Sequence, residues 1–381
     1  MNNTTIGWDV GGAHLKAALL DSRGKLQQVL QVPCALWRGL HELEAAIDLV
    51  LQTFNKASAC HAVTMTGELV DLFATRKDGV QSISRTMAAK LKGTILFYTG
   101  TLHPVFSAKA NFSGFVAIND VDTYWQQIAS ANWLASASYV ATKLPYGLLV
   151  DVGSTTSDFV LLANNKPVCV GFTDAVRMQL EELVYTGVVR TPLMAFGQKI
   201  EFANVTTSVA AEFFATSADV YRLTGDLQAD DDMADTADGQ DKTQWASARR
   251  IARMIGRDVD DAPMVEWMEL AYKFKMQQMT RLKLVALAHI ACLTDKGLSQ
   301  SMCLIGAGVG SFLVREIAKS IGIQYIEVAD LIAQNAGDNT ENRLDHDFAT
   351  KRWASVCLPA YALAQLAYHH SKLEINWHAL T

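Results

Sequence analysis

Two short stretches carry residue types that could grip a phosphate chain, and they are one stretch repeated. In Ile6-Gly-Trp-Asp-Val-Gly-Gly-Ala-His-Leu-Lys-Ala-Ala-Leu-Leu-Asp21 an apolar strand ends at Asp9, Gly11 and Gly12 make a tip, and Lys16 lies on the return. Leu148-Leu-Val-Asp-Val-Gly-Ser-Thr-Thr-Ser-Asp-Phe-Val-Leu-Leu162 aligns with it without gaps, setting Asp9 on Asp151, Gly11 on Gly153 and Leu19-Leu20 on Leu161-Leu162. Glycine at a hairpin tip takes the positive φ of a tight turn and lets backbone N–H groups approach an oxyanion. The expected phosphate contacts are Gly11, Gly12, Lys16, Gly153, Ser154, Thr155 and Thr156. Asp9 and Asp151 are placed to reach a divalent cation. Repetition of a whole strand-turn-strand unit implies two related halves, and two such hairpins facing each other would hold one phosphate chain between them.

The elements that position these residues follow from periodicity. Ile6, Trp8 and Val10 alternate with Gly7 and Asp9, the pattern of a half-buried strand. Leu26–Val32 reads as a third strand, and Leu40–Phe54 carries its apolar residues at helical spacing. A short strand, His61–Thr66, runs into Thr66-Gly-Glu-Leu69, where Glu68 either stabilises a helix start or meets a ligand. Further strands are expected at Thr94–Thr99 and Phe115–Asn119, and a helix of small residues at Asn132–Tyr139, suited to close packing or to leaving room for a ligand. The second hairpin opens the second half, so two domains are expected, 1–145 and 146–381, with the last apolar stretch, Trp353–Tyr368, a core helix crossing back to the first.

Three further segments bear on chemistry. Tyr185-Thr-Gly-Val-Val-Arg-Thr-Pro192 is a loop in which Arg190 can serve as an anion ligand or lie on an ordinary surface. The acidic run 226–241 reads as a solvated loop or, at Asp235 and Asp238, as a substrate or metal contact; its spacing fits no EF-hand. Met302-Cys-Leu-Ile-Gly-Ala-Gly-Val-Gly-Ser311 is a strand, a Gly-rich turn at Gly306, Gly308 and Gly310, and a helix start, which can set N–H groups against a nucleotide. Glu327 offers a dinucleotide-binding alternative, rejected because the unit comes late and the paired hairpins already supply a phosphate site.

Composition bounds the rest. A chain of 381 residues, half of them apolar, has material for two cores. A net charge of −6 without a basic stripe argues against a nucleic-acid partner. The six cysteines show no C-x-x-C pair and read as buried thiols of a reducing compartment. The polar start, and the lack of any uncharged apolar run of the ~20 residues a bilayer span needs, make a cytoplasmic protein without membrane partners the expectation.

The paired hairpins resemble the phosphate loops of the actin, sugar-kinase and Hsp70 superfamily. That resemblance implies an α/β fold of two ribonuclease H-like (actin-like ATPase) domains facing across a cleft, and a Gly306–Gly310 turn that contacts adenosine. The Tyr185–Pro192 loop resembles that of the hydantoinase A and oxoprolinase branch, which raises Arg190 as an anion ligand. Gly11–Lys16, Thr66–Leu69, Asn132-Trp133, Tyr185–Pro192 and Asp235–Gly239 together resemble a narrower family, the methanofuran-biosynthesis synthases and their relatives linked to tetrahydromethanopterin C1 transfer. Membership would imply a transferase joining the phenol oxygen of γ-glutamyltyramine to an aminomethylfuran-methyl diphosphate, with diphosphate expelled. Mg²⁺ on Asp9 and Asp151 would hold the leaving group, and Asp158 or Glu68 would take the phenol proton. An ATP-dependent kinase or lactam-opening enzyme, and a non-catalytic actin-like nucleotide-binding protein, stay open as alternatives.

Overall fold

The structure is a computed structural model that describes residues 4–56, 58–106, 112–294, 302–333 and 344–378. In chain order it begins with β1 (Thr5–Val10), β2 (His14–Leu20), β3 (Leu26–Pro33), α1 (Leu40–Phe54), β4 (Ala59–Met65), α2 (Arg76–Lys90) and β5 (Gly93–Tyr98). There follow β6 (Phe115–Val116), α3 (Val121–Ile128), α4 (Asn132–Ala141), β7 (Tyr146–Val152), β8 (Ser157–Ala163), β9 (Lys166–Val168), α5 (Asp174–Gln179) and β10 (Leu183–Val184). The rest comprises β11 (Lys199–Phe202), β12 (Val205–Ser208), α6 (Ser217–Thr224), α7 (Gln244–Arg253), α8 (Met264–Thr294), β13 (Cys303–Ala307), α9 (Ser311–Ile321), β14 (Gln324–Glu327), α10 (Val328–Ala333), α11 (Leu344–Val356) and α12 (Leu358–His378).

The chain divides into two compact units, one of residues 1–145, 162–177 and 328–381, the other of 146–161 and 178–327. Beside the expected domains of 1–145 and 146–381, this division groups 162–177 and 328–381 with the first unit. Sheet order in the first unit is β3-β2-β1-β4-β5-β6, with β4 parallel to β1 and β5 parallel to β4. In the second it is β10-β8-β7-β13-β14, with β13 parallel to β7 and β14 parallel to β13. β3 pairs antiparallel with β2, and β10 pairs antiparallel with β8. Each unit thus places a hairpin beside two parallel strands, so the repeat seen in two hairpins extends through both sheets.

The first strand is buried on both faces, not half-buried. Ile6, Trp8 and Val10 join a core with Leu43, Ile47 and Val50 of α1 and Val80, Ile83 and Met87 of α2. The opposite face is closed by α12, which packs on β1, β2, β4 and α4. Gly7 makes that contact possible: a Cβ there would lie 1.9 Å from the Ala360 carbonyl oxygen and 2.7 Å from the Ala364 nitrogen. The small residues of α4 serve the same helix, and the Tyr139 and Tyr361 hydroxyls meet at 3.3 Å. The apolar stretch expected as one helix from Trp353 is two, broken between Val356 and Leu358, where Pro359 suits a first helical turn.

At the centre of the first core the Trp8 indole N–H donates to Nδ1 of His61 at 3.1 Å, and Nε2 of His61 meets the Lys92 carbonyl at 3.2 Å. A carbonyl can only accept, so His61 is neutral with its proton on Nε2. Burial lowers its pKa to about 4.

Two outcomes follow. Gly7→Ala forces α12 off β1 and is expected to cost at least about 3 kcal/mol by urea unfolding, in the upper range for overpacking. An unfolded His61 titrates at its ordinary value and gains a proton that the folded chain refuses. Its contribution is therefore complete above pH 6.5 and lost as pH falls towards about 4. About 2 kcal/mol of pH-dependent stability should disappear between pH 7 and pH 5 in the parent protein and be absent in His61→Gln, measured by unfolding at those two pH values.

Candidate phosphate-binding hairpins

The two hairpin tips are built alike in their hydrogen bonds. In the first, the Gly11 N–H donates to the His14 carbonyl at 3.0 Å; in the second, the aligned Gly153 N–H donates to Thr156 at 2.8 Å. The next carbonyls are captured from behind by the segment that follows the outer strand. Leu36 N–H donates to Gly12 O and Cys34 N–H to Ala13 O. In the second unit Val188 N–H donates to Gly153 O, and the Val189 and Arg190 N–H groups share Ser154 O at 3.1 and 2.9 Å. A trans peptide sets its N–H opposite its C=O, so capturing these carbonyls turns the N–H groups of Ala13, Ser154 and Thr155 to the other side. Ser154 and Thr155 N–H have no acceptor among the described residues. Successive N–H groups presented this way make a concavity for an anion.

In the second unit the glycines hold the tip by close approach. A Cβ on Gly187 would lie 2.5 Å from Ser154 C and Thr155 N, and one on Gly310 2.4 Å from Val152 Cγ1. Gly308, at φ +80°, backs onto Asp151, with a Cβ there 2.4 Å from both the carboxylate Oδ1 and Val152 O. Gly310 N–H donates to Val152 O at 2.8 Å, as Thr66 N–H donates to the aligned Val10 O at 2.9 Å. Counting back from the Gly153–Thr156 bond sets Asp158 of β8 opposite Asp151 of β7. In the first hairpin the residue opposite Asp9 is Lys16. Like charges directly opposite on adjacent strands repel, and a divalent cation is one way of offsetting such a pair. Mg²⁺ is commonly held by one or two carboxylates plus phosphate oxygens, which this donor set can provide. No group of three or more His, Cys, Asp or Glu side chains placed to hold a metal occurs among the described residues. Arg190 is exposed at the edge of this tip.

In the first unit Asp9 is buried, while the Lys16 ammonium donates to the Val356 carbonyl at 3.4 Å, at the C-terminus of α11. Gly67 presses on the hairpin, where a Cβ would lie 3.1 Å from Val10 O. Glu68 does not face solvent: its side chain is fully buried, and Oε1 accepts from Arg76 Nη2 at 2.9 Å and Ser130 Oγ at 2.8 Å. Burial raises its pKa, against the hydrogen bond and charge of Arg76 and the hydroxyl of Ser130. Arg76 and Ser130 also reach Asp174 at 3.2 and 3.1 Å, and Ser130 holds a left-handed backbone at φ +50°. The guanidinium of buried Arg177 stacks on Trp133 at 3.9 Å. None of Arg76, Ser130, Asp174 or Arg177 was singled out from sequence, since nothing in local spacing joins three segments so far apart.

Other expected ligands have structural work instead. Asp238 accepts from Arg249 at 2.8 Å and Arg250 at 3.0 Å. Burial tends to raise its pKa, but the Gln240 N–H, the Arg249 hydrogen bond and the Arg250 charge outweigh it and hold the carboxyl at about 2. Asp232 pairs with Arg222, and wholly buried Asp219 with both Arg222 and Arg250, so the acidic run folds over α6 and α7 as an ion-pair network. Asp235 is exposed and stands apart from the hairpin contacts above. Gly306 lies inside β13 against Tyr325, whose hydroxyl donates to Glu327 at 2.6 Å.

Comparison with known proteins places these features in a family. Residues 59–333 match the hydantoinase/oxoprolinase family. The chain belongs to the hydantoinase/oxoprolinase family. A synthase from Methanocaldococcus jannaschii, named for (4-{4-[2-(gamma-L-glutamylamino)ethyl]phenoxymethyl}furan-2-yl)methanamine, is 29% identical over 280 residues, 72% of this chain and 79% of that one. A synthase of the same name from Methanococcus vannielii is 32% identical over 127 residues, 33% of this chain and 57% of its own. Among solved structures, a nucleotide-free acetone carboxylase chain superposes with a TM-score of 0.51 at 11% identity, covering 96% of this hydantoinase/oxoprolinase chain and 70% of the other. The fold is that of the actin-like ATPases, with an α/β sheet in each of two units. No helix among the described residues is long and apolar enough to cross a membrane.

Any side chain at position 308 must displace Asp151 or the Val152 carbonyl. Gly308→Ala is expected to lower turnover at least ~10²-fold, as displacement of a positioned group by about 1 Å does, and to lower the melting temperature through strain at its positive φ while the helix content is kept. Circular dichroism and steady-state kinetics on the same preparation check this.

Proposed function

We propose that this chain is a transferase of methanofuran biosynthesis, forming the phenoxymethyl ether between a furan-methyl diphosphate and the phenol of γ-glutamyltyramine. The observation that carries the reading is the similarity to the Methanocaldococcus jannaschii synthase across most of both chains. The hairpins suit the chemistry. The phenol oxygen bonds to the furan methylene carbon, the bond from that carbon to the diphosphate oxygen breaks, and the diphosphate departs with its electron pair. The charge that develops on it is met by the outward N–H groups of Ser154 and Thr155, joined by Arg190.

Asp151 would hold Mg²⁺, as would Asp9 in its own hairpin; the ion supplies further charge neutralisation at the leaving diphosphate. The phenol proton is assigned to Asp158. Glu68 is set aside for that role because its side chain is closed off from solvent and bound to Arg76 and Ser130. ATP is not required by this reaction, and the protein acts on small molecules in the cytoplasm.

Mass spectrometry of products from the furan-methyl diphosphate and γ-glutamyltyramine, run beside an ATPase assay, tests the proposal. Ether formation with diphosphate release only when the phenol is present is the expected result. ADP release without ether would replace it with an ATP-dependent activity. Asp9→Asn and Asp151→Asn are each expected to lower turnover at least ~10²-fold with the fold intact. Full activity of Asp151→Asn at saturating Mg²⁺ would overturn the metal assignment.

A further inference from the structure

The Tyr185–Pro192 segment captures the carbonyls of the second hairpin, so whatever fixes that segment fixes the hairpin. Its buried partner is Gln278 of α8. The Gln278 amide nitrogen donates to Thr186 Oγ1 at 2.8 Å and to Gly187 O at 3.0 Å, while its oxygen accepts from the Tyr221 hydroxyl in a short hydrogen bond. A carbonyl can only accept, so the amide has one possible orientation, and both its hydrogens are used. Tyr221 is wholly buried. Burial first, then the charges of Asp226 and Glu316, push its hydroxyl pKa well up, so it stays protonated and a donor.

From Gln278 the restraint passes directly to the tip. Thr186 O accepts from Ser157 Oγ at 2.6 Å, which ties the segment to the first residue of β8. Gly187 sits in van der Waals contact with the Ser154–Thr155 peptide and is clamped from its far side by Thr191, whose hydroxyl oxygen accepts from Gly187 N–H at 2.7 Å. The three following N–H groups make the carbonyl captures at Gly153 and Ser154. Gln278, Thr186, Gly187, Thr191 and Ser157 are all buried.

We propose that Gln278, held by Tyr221, is a positioning residue for diphosphate binding, acting through Thr186 and Gly187 to set the Ser154 and Thr155 N–H groups. It does not touch the ligand. This rests on the reading that the second hairpin holds the diphosphate, and it goes beyond that reading by placing control of the hairpin on α8. Gln278→Leu keeps much of the side-chain volume but removes every hydrogen bond. Gln278→Glu keeps the shape and sets an acceptor against the Gly187 carbonyl.

The test is hydrogen–deuterium exchange over residues 150–160 of the full-length chain, together with calorimetric binding of inorganic diphosphate with Mg²⁺. Both Gln278 variants are expected to speed exchange in that stretch and weaken diphosphate about tenfold, the scale of a lost buried hydrogen bond, with KM for the furan substrate rising more than kcat falls. Thr186→Val should share the effect in part and Thr186→Ser should restore it, which guards against loss of folding in the Gln278 variants. Unchanged exchange at 150–160, or faster exchange with unaltered diphosphate affinity, would overturn the proposal. A parent protein that binds diphosphate in this Gln278-dependent way yet forms no ether supports it, and refutes only the substrate reading.

Discussion

The planarity of a few peptide groups governs the chemistry this chain can do. At each hairpin tip a carbonyl is drawn backward by a neighbouring N–H, and the rigid trans amide then has to present its own N–H forward. Polar backbone is costly to bury unpaired, so such groups are normally consumed by secondary structure. Here they are released because the segments after β3 and β10 run irregularly and pair with carbonyls at the tip rather than with another strand. An anion site built this way would be a by-product of satisfying acceptors and would need no charged side chain.

That device requires backbones closer together than side chains permit, which explains where glycine is placed. Gly67 and Gly187 touch their hairpins, and Gly308 touches Asp151 itself. The same constraint works in the first core, where Gly7 lets α12 rest on β1 and seals its second face. A single alternating pattern could not announce this. Ile6, Trp8 and Val10 look like one buried face because Gly7 and Asp9 lack bulk, yet the absence of bulk is what admits the helix.

This marks how far the chain was legible before its structure. The repeated hairpins, α1, α8 and the strand-turn-helix at 303–321 follow from periodicity and turn residues, which are local properties. The family resemblance drew on the same local motifs. What stayed hidden depends on tertiary pairing. Glu68 invited reading as a base until Arg76 and Ser130 were seen to bind it in a closed environment. Asp238 reads as a possible ligand, and its pairing with Arg249 and Arg250, which in sequence form only a short basic pair, appears only in the fold. Gln278 lies in an unbroken helical stretch, and no pattern distinguishes it from a surface glutamine.

The two units also show what duplication preserves. Backbone relations are retained: the turn bonds at Gly11 and Gly153, the bonds onto Val10 and Val152, and the carbonyl capture behind each tip. Side chains have diverged, most clearly opposite the strand-end aspartates, where one hairpin carries Lys16 and the other Asp158. A lysine stands opposite Asp9 and is drawn to the Val356 carbonyl, whereas a second aspartate stands opposite Asp151. The backbone arrangement is common to both units, and the residue opposite the strand-end aspartate is where they differ.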